Sequence, residues 1–234
     1  MKKLISILFI SGAVWAADNE IYVDQSGASS SIDLEQIGSG NLIGGLNAVT
    51  GSMTPLDLDG TGMTLDINQI GSSNIFRGDI TADSYTGYFN FSGSSNNFTM
   101  QTDPTNTYGA DTSDVNVDVT GSSNTFSLNQ ANAAMASTLD LDWTINGSNN
   151  SVTAAIDYDT ATNYMDIEGD DNTVTLDADG YAGGYFYLDQ TGSSRTFNVT
   201  QQSTLDNDWL KILSSGSNGT ICVNQDDGGT AVGC

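Results

Sequence analysis

Apolar and polar residues alternate one for one along most of this chain, break at a glycine, and resume on its far side. Leu65 and Ile67 precede one such break and Phe76 follows it. Phe89 and Phe91 precede the next, with Phe98 and Met100 beyond, and Val115, Val117 and Val119 lead to Phe126 and Leu128. The arrangement returns with Leu141, Trp143 and Ile145 before Val152, with Met165 and Ile167 before Val174 and Leu176, with Phe186 and Leu188 before Phe197 and Val199, and with Leu210 and Ile212 before Ile221 and Val223. A period of two on both sides of a Gly/Ser/Asn turn predicts strand, turn, strand, with one face of each strand buried. No stretch after residue 16 carries the helical period.

Aligned on the turn glycine, the copies fall at Gly27, Gly38, Gly71, Gly93, Gly121, Gly147, Gly169, Gly192 and Gly216. The intervals are 11, 33, 22, 28, 26, 22, 23 and 24 residues, so a unit of 22 built from two halves of 11 survives insertions, the longest around 44 to 62 and 102 to 114. A unit of that size cannot bury its apolar face alone and must stack on its neighbours. The expected fold is therefore all-β: an elongated single-domain β-solenoid of about eight strand-turn-strand rungs, with the glycine turns in a row along one edge.

Polar residues also hold fixed offsets. Glutamine stands two before the glycine at Gln25, Gln36, Gln69 and Gln190, and nine after it at Gln36, Gln130, Gln201 and Gln225. Asparagine stands three after it at Asn41, Asn74, Asn96, Asn124, Asn150 and Asn172. By parity these amides share the buried face, which is costly unless their hydrogen bonds are met. Stacking like amides ~4.8 Å apart, rung on rung, would meet them. On that reading Gln130 and Gln201 accept leucine without unfolding the monomer.

The order Ser-x5-Gln-x-Gly-x2-Asn-x5-Gln resembles the curlin repeat of curli subunits, which form extracellular bacterial amyloid fibres. Ser30, Gln36, Gly38 and Asn41 match it, with Asn47 replacing the closing glutamine. Ser113, Gly121, Asn124 and Gln130 match with Val119 in place of the first glutamine. Gln69, Gly71 and Asn74 match the middle, and Gln190, Gly192 and Gln201 match around Arg195, which replaces asparagine. The likeness covers roughly residues 21 to 225, and the copies at Gly93, Gly147 and Gly169 have Phe91, Ile145 and Ile167 instead of glutamine. It implies a secreted structural subunit of a curli-like fibre or biofilm matrix that grows by rung-on-rung strand templating, with itself or other curlin-type subunits as partners. The alternatives are a non-polymerising β-solenoid adhesin or surface-binding protein, and a fibre nucleator or minor subunit.

Lys2 and Lys3, the apolar run Leu4 to Val14 and the small-residue site Val14-Trp15-Ala16 read as a signal peptide over 1–16, leaving a repeat domain over 17–234. Secretion to the extracellular space or cell surface is the matching expectation, and the apolar run is too short to span a bilayer. In an exported chain Cys222 and Cys234 should pair and staple the tail 222–234 to the last rung; the alternative is two separate thiols.

The formal net charge is −24, and losing Lys2 and Lys3 with the leader leaves −26. So few cations argue against nucleic-acid binding. Asp33, Glu35, Asp66, Asp118, Asp140, Asp142, Asp166 and Asp189 alternate with buried positions and should point outward. There they form either a solvated face that guards the strands or columns that associate loosely with Ca²⁺. No Gly-Gly-x-Gly-x-Asp β-roll motif and no histidine occur, so no specific metal site or cofactor is expected. Without a histidine base, a nucleophile elbow or a phosphate loop, no catalytic residues are assigned and the chain is not expected to be an enzyme.

Phe76, Phe98, Phe126 and Phe197 all stand five after the glycine, which predicts a buried stack. Tyr85, Tyr88, Tyr108, Tyr158, Tyr164, Tyr181, Tyr185 and Tyr187 are expected mainly in or beside loops, covering the solenoid rim or touching carbohydrate or another subunit. An ice-binding face would need a regular threonine column, and Thr102, Thr144, Thr153 and Thr175 are expected to share no offset.

Overall fold

The computed structural model describes residues 20–46, 53–54, 56–102, 112–130, 138–157, 160–180, 184–203 and 209–227. The leader expected over 1–16 and Cys234 lie outside them. Among the described residues there is no helix, and the strands stack in parallel as a β-solenoid.

Two sheets face each other across the core. Sheet B has eight strands: β3 (Ser31–Ile37), β8 (Met63–Ile70), β10 (Ser84–Ser92), β12 (Thr112–Thr120), β14 (Thr138–Asn146), β16 (Ala161–Glu168), β18 (Tyr185–Thr191) and β20 (Trp209–Ser215). Sheet A has eleven: β1 (Glu20–Ile21), β2 (Asp24–Ser26), β4 (Leu42–Ile43), β7 (Leu56–Gly60), β9 (Ile75–Ala82), β11 (Asn97–Thr102), β13 (Thr125–Gln130), β15 (Ser151–Asp157), β17 (Thr173–Gly180), β19 (Thr196–Ser203) and β21 (Thr220–Asp227). A small antiparallel pair, β5 (Gly45–Leu46) and β6 (Met53–Thr54), fills the excursion between β4 and β7.

The first strands of sheet A share rows. β4 and β7 both pair with β9, while β1 pairs with β4 and β2 with β7. The eleven strands of sheet A therefore lie in nine rows against the eight strands of sheet B, and both ends of the stack finish on a row of sheet A.

The side-chain period of two sends one face of every strand inward. Leu65, Ile67, Phe89, Val117, Trp143, Ile145, Leu176 and Leu188 are all essentially inaccessible to solvent. The phenylalanine stack is real but shorter than its offset suggests. Phe76 and Phe98 lie ring on ring at 4.9 Å and 12°, and Phe126 follows at 6.0 Å. Val152 and Val174 then separate Phe126 from Phe197 in the same column. In the rung with Val152 and Ala154 on one side, sheet B supplies Trp143, the largest buried side chain, so rung volume is kept roughly constant as close packing demands.

Each rung turns the corner from sheet B to sheet A at one glycine of a column: Gly38, Gly71, Gly93, Gly121, Gly147, Gly169, Gly192 and Gly216. Their φ values lie between 125° and 147°. A Cβ on any of the last seven would overlap the carbonyl of the glycine one rung below, at 1.5 to 2.1 Å. Gly27 is a correction to the sequence alignment. It lies at the opposite corner, beneath Gly60, which explains its half-unit interval of 11.

Two residues after each glycine the chain is left-handed, at Gly40, Ser73, Ser95, Ser123, Asn149, Asp171, Ser194 and Asn218. Serine at such a φ is strained. The compensation is a backbone ladder, as where Ser73 N–H donates to the Ser94 carbonyl at 3.0 Å and Ser123 N–H to the Ser148 carbonyl at 3.0 Å.

Candidate functional site

The asparagines form an unbroken six-rung ladder, wired differently from amide on amide. The backbone N–H of each donates to the side-chain oxygen of the next: Asn41 to Asn74 at 3.1 Å, Asn74 to Asn96 and Asn96 to Asn124 at 2.9 Å, Asn124 to Asn150 at 2.9 Å and Asn150 to Asn172 at 2.8 Å. The side-chain nitrogens of Asn124, Asn150 and Asn172 donate back to the carbonyls of Gly93, Gly121 and Gly147. Those of Asn41, Asn74 and Asn96 are buried without a partner. From Asn74 to Asn172 each amide thus ties the corner of one rung to the backbone of the rung below it.

The glutamines do not form such ladders. Gln36 and Gln69 pair directly, Gln69 Nε2 donating to Gln36 Oε1 at 2.8 Å, and Gln225 Nε2 donates to Gln201 Oε1 at 3.4 Å. Between these pairs the sheet B column runs through Phe91, Val119, Ile145 and Ile167, and Ile156 and Ala178 separate Gln130 from Gln201 in sheet A. Gln190 lies between Ile167 and Ser214. With its oxygen toward the guanidinium it accepts from Arg195 Nε at 2.8 Å and Nη1 at 3.1 Å. Arg195, 2 % exposed, also donates from Nη2 to the Ser215 carbonyl at 2.9 Å, so it braces the last corner where an asparagine would have extended the ladder. Sequence reasoning treated Arg195 only as a departure; its position between Gln190 and Gly216 was the available signal.

Gln130 serves a buried hydroxyl cluster. Its Oε1 accepts from Tyr85 Oη at 2.7 Å and Thr102 Oγ1 at 2.6 Å, tying together β10, β11 and β13. Burial is the largest influence on the Tyr85 hydroxyl and pushes its pKa up. Leucine at Gln130 is expected to leave the monomer folded but less stable. Gln130→Leu removes the acceptor shared by two buried hydroxyls and is expected to cost about 1–3 kcal/mol in urea unfolding. The same change at the end-row Gln225, which is exposed, should cost well under half as much, and equal costs would contradict the cluster.

Both outer faces carry carboxylates, those of sheet A including Asp24, Asp57, Asp59, Asp79, Asp157 and Asp177. Sheet B carries Asp33, Glu35, Asp66, Asp114, Asp118, Asp140, Asp142, Asp166, Glu168 and Asp189, all outward. Their columns are broken: Asp33 adjoins Asp66, but Asp66 adjoins Tyr88, and Asp142 lies between Asn116 and Tyr164. Continuous runs are short, such as Asp166 with Asp189, and Asp24 with Asp57 and Asp79 on sheet A. Among the described residues no group of three or more His, Cys, Asp or Glu could hold a metal ion.

Crowding makes several of these carboxyls harder to ionise. Burial first, then Asp59 and Asp24, raises the pKa of Asp57; burial and Asp57 raise that of Asp79. Burial with Asp140 and Asp114 raises Asp142, and burial with Asp189 and Glu168 raises Asp166. A carboxyl with a folded pKa above its unfolded value contributes stability that is complete below about 3.8 and is lost as pH rises through the folded value. The melting temperature should therefore rise between pH 7 and pH 4, against the common trend of acid denaturation. A fall over that interval, measured at one salt concentration, would refute it.

The tyrosines expected in or beside loops lie in strands where described, and Tyr22 lies between β1 and β2. Tyr85 is core, and Tyr88, Tyr164, Tyr185 and Tyr187 lie in sheet B. Tyr164 stacks on Tyr187 at 4.9 Å and 4°, Tyr185 on Trp209 at 4.2 Å and 5°, and Lys211 Nζ lies 4.9 Å from the Tyr187 ring centre. Tyr108, Tyr158 and Tyr181 lie outside the described residues.

Sheet A also presents two uncharged columns across five rungs. One is Asn97, Thr125, Ser151, Thr173 and Thr196; the other is Thr99, Ser127, Thr153, Thr175 and Asn198. Thr153 and Thr175 are direct neighbours six residues after their glycines, while Thr102 and Thr144 lie in other columns, so the four share no single offset although two of them do. Cys222 continues the second column on the outer face and is disulfide-bonded. The other cysteine of the chain, Cys234, lies outside the described residues.

No protein-family model, no curated protein and no solved structure matches this chain.

Proposed function

We propose that this protein is a secreted structural subunit of an extracellular curli-like fibre or matrix, growing by stacking one molecule's rungs on another's. The observation that carries the reading is the last rung. Ile221 and Val223 point inward by register yet remain 44 % and 38 % exposed, because the described stack provides nothing beyond β21. A core cross-section that no described residue covers is a template for another chain, and a heterologous contact of that kind does not close.

Negative-stain microscopy and thioflavin fluorescence of the chain from Ala17 test this. Unbranched fibres are expected, and Ile221→Asp with Val223→Asp should abolish them while the monomer keeps its cooperative melt. Absence of fibres from the unsubstituted chain, or fibres unaffected by both aspartates, would refute the reading. The acidic face sets a condition: at −26, self-repulsion acts over roughly a Debye length, so added salt, millimolar Ca²⁺ or acid should each shorten the lag.

The neutral columns of sheet A favour a second reading, a surface-binding adhesin that does not polymerise. It predicts retention of monomers on solid polysaccharide, lost when Thr125, Thr153 and Thr173 are changed to lysine, with no fibres at any pH.

A further inference from the structure

The row count creates a difficulty for end-to-end growth. Among the described residues sheet A has nine rows and sheet B eight strands, so stacking these rows end to end leaves a strand-wide vacancy in sheet B at every junction. The surplus row is β1 with β2. It is the shortest in the stack, two residues plus three, against eight in β21.

Its side chains repeat those of the last row. Inward along the first row stand Ile21, Val23 and Gln25; inward along the last stand Ile221, Val223 and Gln225. Each belongs to the same column of its sheet. Ile21 lies over Ile43 and so in line with Phe76 and, rung by rung, Ile221.

Resting on the fibre reading, we propose that the edge formed by β3, β4 and β7 is the seat for β20 and β21 of a second copy, and that β1 and β2 occupy part of it in the single molecule as a stand-in for β21. Displacing that row brings the two sheets to eight rows each and removes the vacancy. Following the columns across the junction, Leu210 and Ile212 then cover Ile32 and Leu34, and Gly216 lies under Gly38 as Gly192 lies under Gly216. Lys211, among the few cations in the chain, falls on Asp33 with Glu35 beside it, so the junction pairs opposite charges on an otherwise acidic face. The buried, unpartnered Nδ2 of Asn41 is placed to donate to the carbonyl of the incoming Gly216, as Asn124 donates to Gly93.

Three variants of the full chain and one peptide test the proposal. Gly38 has only an ordinary contact above a Cβ, 3.5 Å to Asn41. Gly38→Ala should leave a folded monomer and lower the elongation rate from seeds at least tenfold, since its Cβ would overlap the incoming Gly216 carbonyl. Lys211→Asp should slow elongation and Asp33→Lys in the same chain restore it; absence of rescue would overturn the register. Locking the first row with Gln25→Cys and Leu58→Cys should stop elongation under oxidising conditions, whereas wild-type rates in the locked chain would overturn displacement. Without any fibre, a synthetic peptide of residues 219–227 carrying Cys222→Ser should bind the monomer and speed hydrogen exchange at Ile21 to Ser26. Peptide binding with unchanged exchange there would refute the stand-in role. A wild-type chain that binds the peptide but makes no fibres would instead remove the fibre reading and keep the displacement.

Discussion

Gly121→Ala is expected to be the most damaging conservative change in the molecule. A Cβ there would lie 1.8 Å from the Gly93 carbonyl oxygen and 2.6 Å from its carbon, on a residue whose φ of 132° already excludes other side chains. Backbone strain of this kind costs about 1–3 kcal/mol, and the overlap with a backbone atom that cannot rotate away adds to it. A loss of about 3 kcal/mol or more in urea unfolding, or failure to fold, is the expected result. Gly38→Ala separates the two contributions. It has nearly the same φ, 136°, and no carbonyl beneath it. Equal losses for the two variants would show that the glycine column answers to turn conformation alone and not to stacking.

Asn124→Asp should be the second large effect, and it should depend on pH. The new carboxylate keeps the oxygen that accepts from Asn96 N–H, but its other oxygen replaces the nitrogen that donates to the Gly93 carbonyl at 3.2 Å. A buried charge then faces a carbonyl dipole with no donor between them, at an expected cost of about 3 kcal/mol at pH 7. Burial raises the folded pKa of this carboxyl above the unfolded value. The lost stability is therefore recovered in full only below about 3.9 and disappears as pH rises through the folded pKa. Unfolding free energies of variant and parent should converge near pH 3.5 and diverge at pH 7. A constant difference would mean that shape, and not charge, makes asparagine necessary.

Both predictions rest on positions legible in the sequence. The alternation of Val115, Val117 and Val119 against Phe126 and Leu128, and the offset of asparagine from glycine, are properties of spacing. Parity decides which face a strand residue takes, so the buried amides could be named before any contact was known. The wiring could not. A side-chain amide three residues past a glycine can meet a like amide or a backbone group of the next rung, and the left-handed turn residue decides between them by fixing where each N–H points. The glutamines show the limit most clearly: Gln130 and Gln201 share an offset yet have different partners, because the residues between them in the column, Ile156 and Ala178, are distant in sequence.

Charge and aromatic placement divide in the same way. That Asp33 and Asp66 face outward follows from alternation; that Tyr88 interrupts their column, and that Lys211 ends it, follows from insertions that shift each copy's neighbours by 22 to 33 residues. The threonine columns of sheet A were missed for a related reason. Thr102 and Thr144 belong to other columns, so the offset that Thr153 and Thr175 share does not extend to all four.

Periods of 2 and 22 carried by local residues make this chain a stack of strand-turn-strand rungs, set which face of each strand is buried, and place glycine at one corner. That Gly27 belongs to the opposite corner, that the described sheets hold nine rows against eight, and that Ile21, Val23 and Gln25 share their columns with Ile221, Val223 and Gln225 emerges only on folding. Those are statements about which distant segments are neighbours. In a solenoid they depend on the running sum of every insertion, a quantity no single repeat contains.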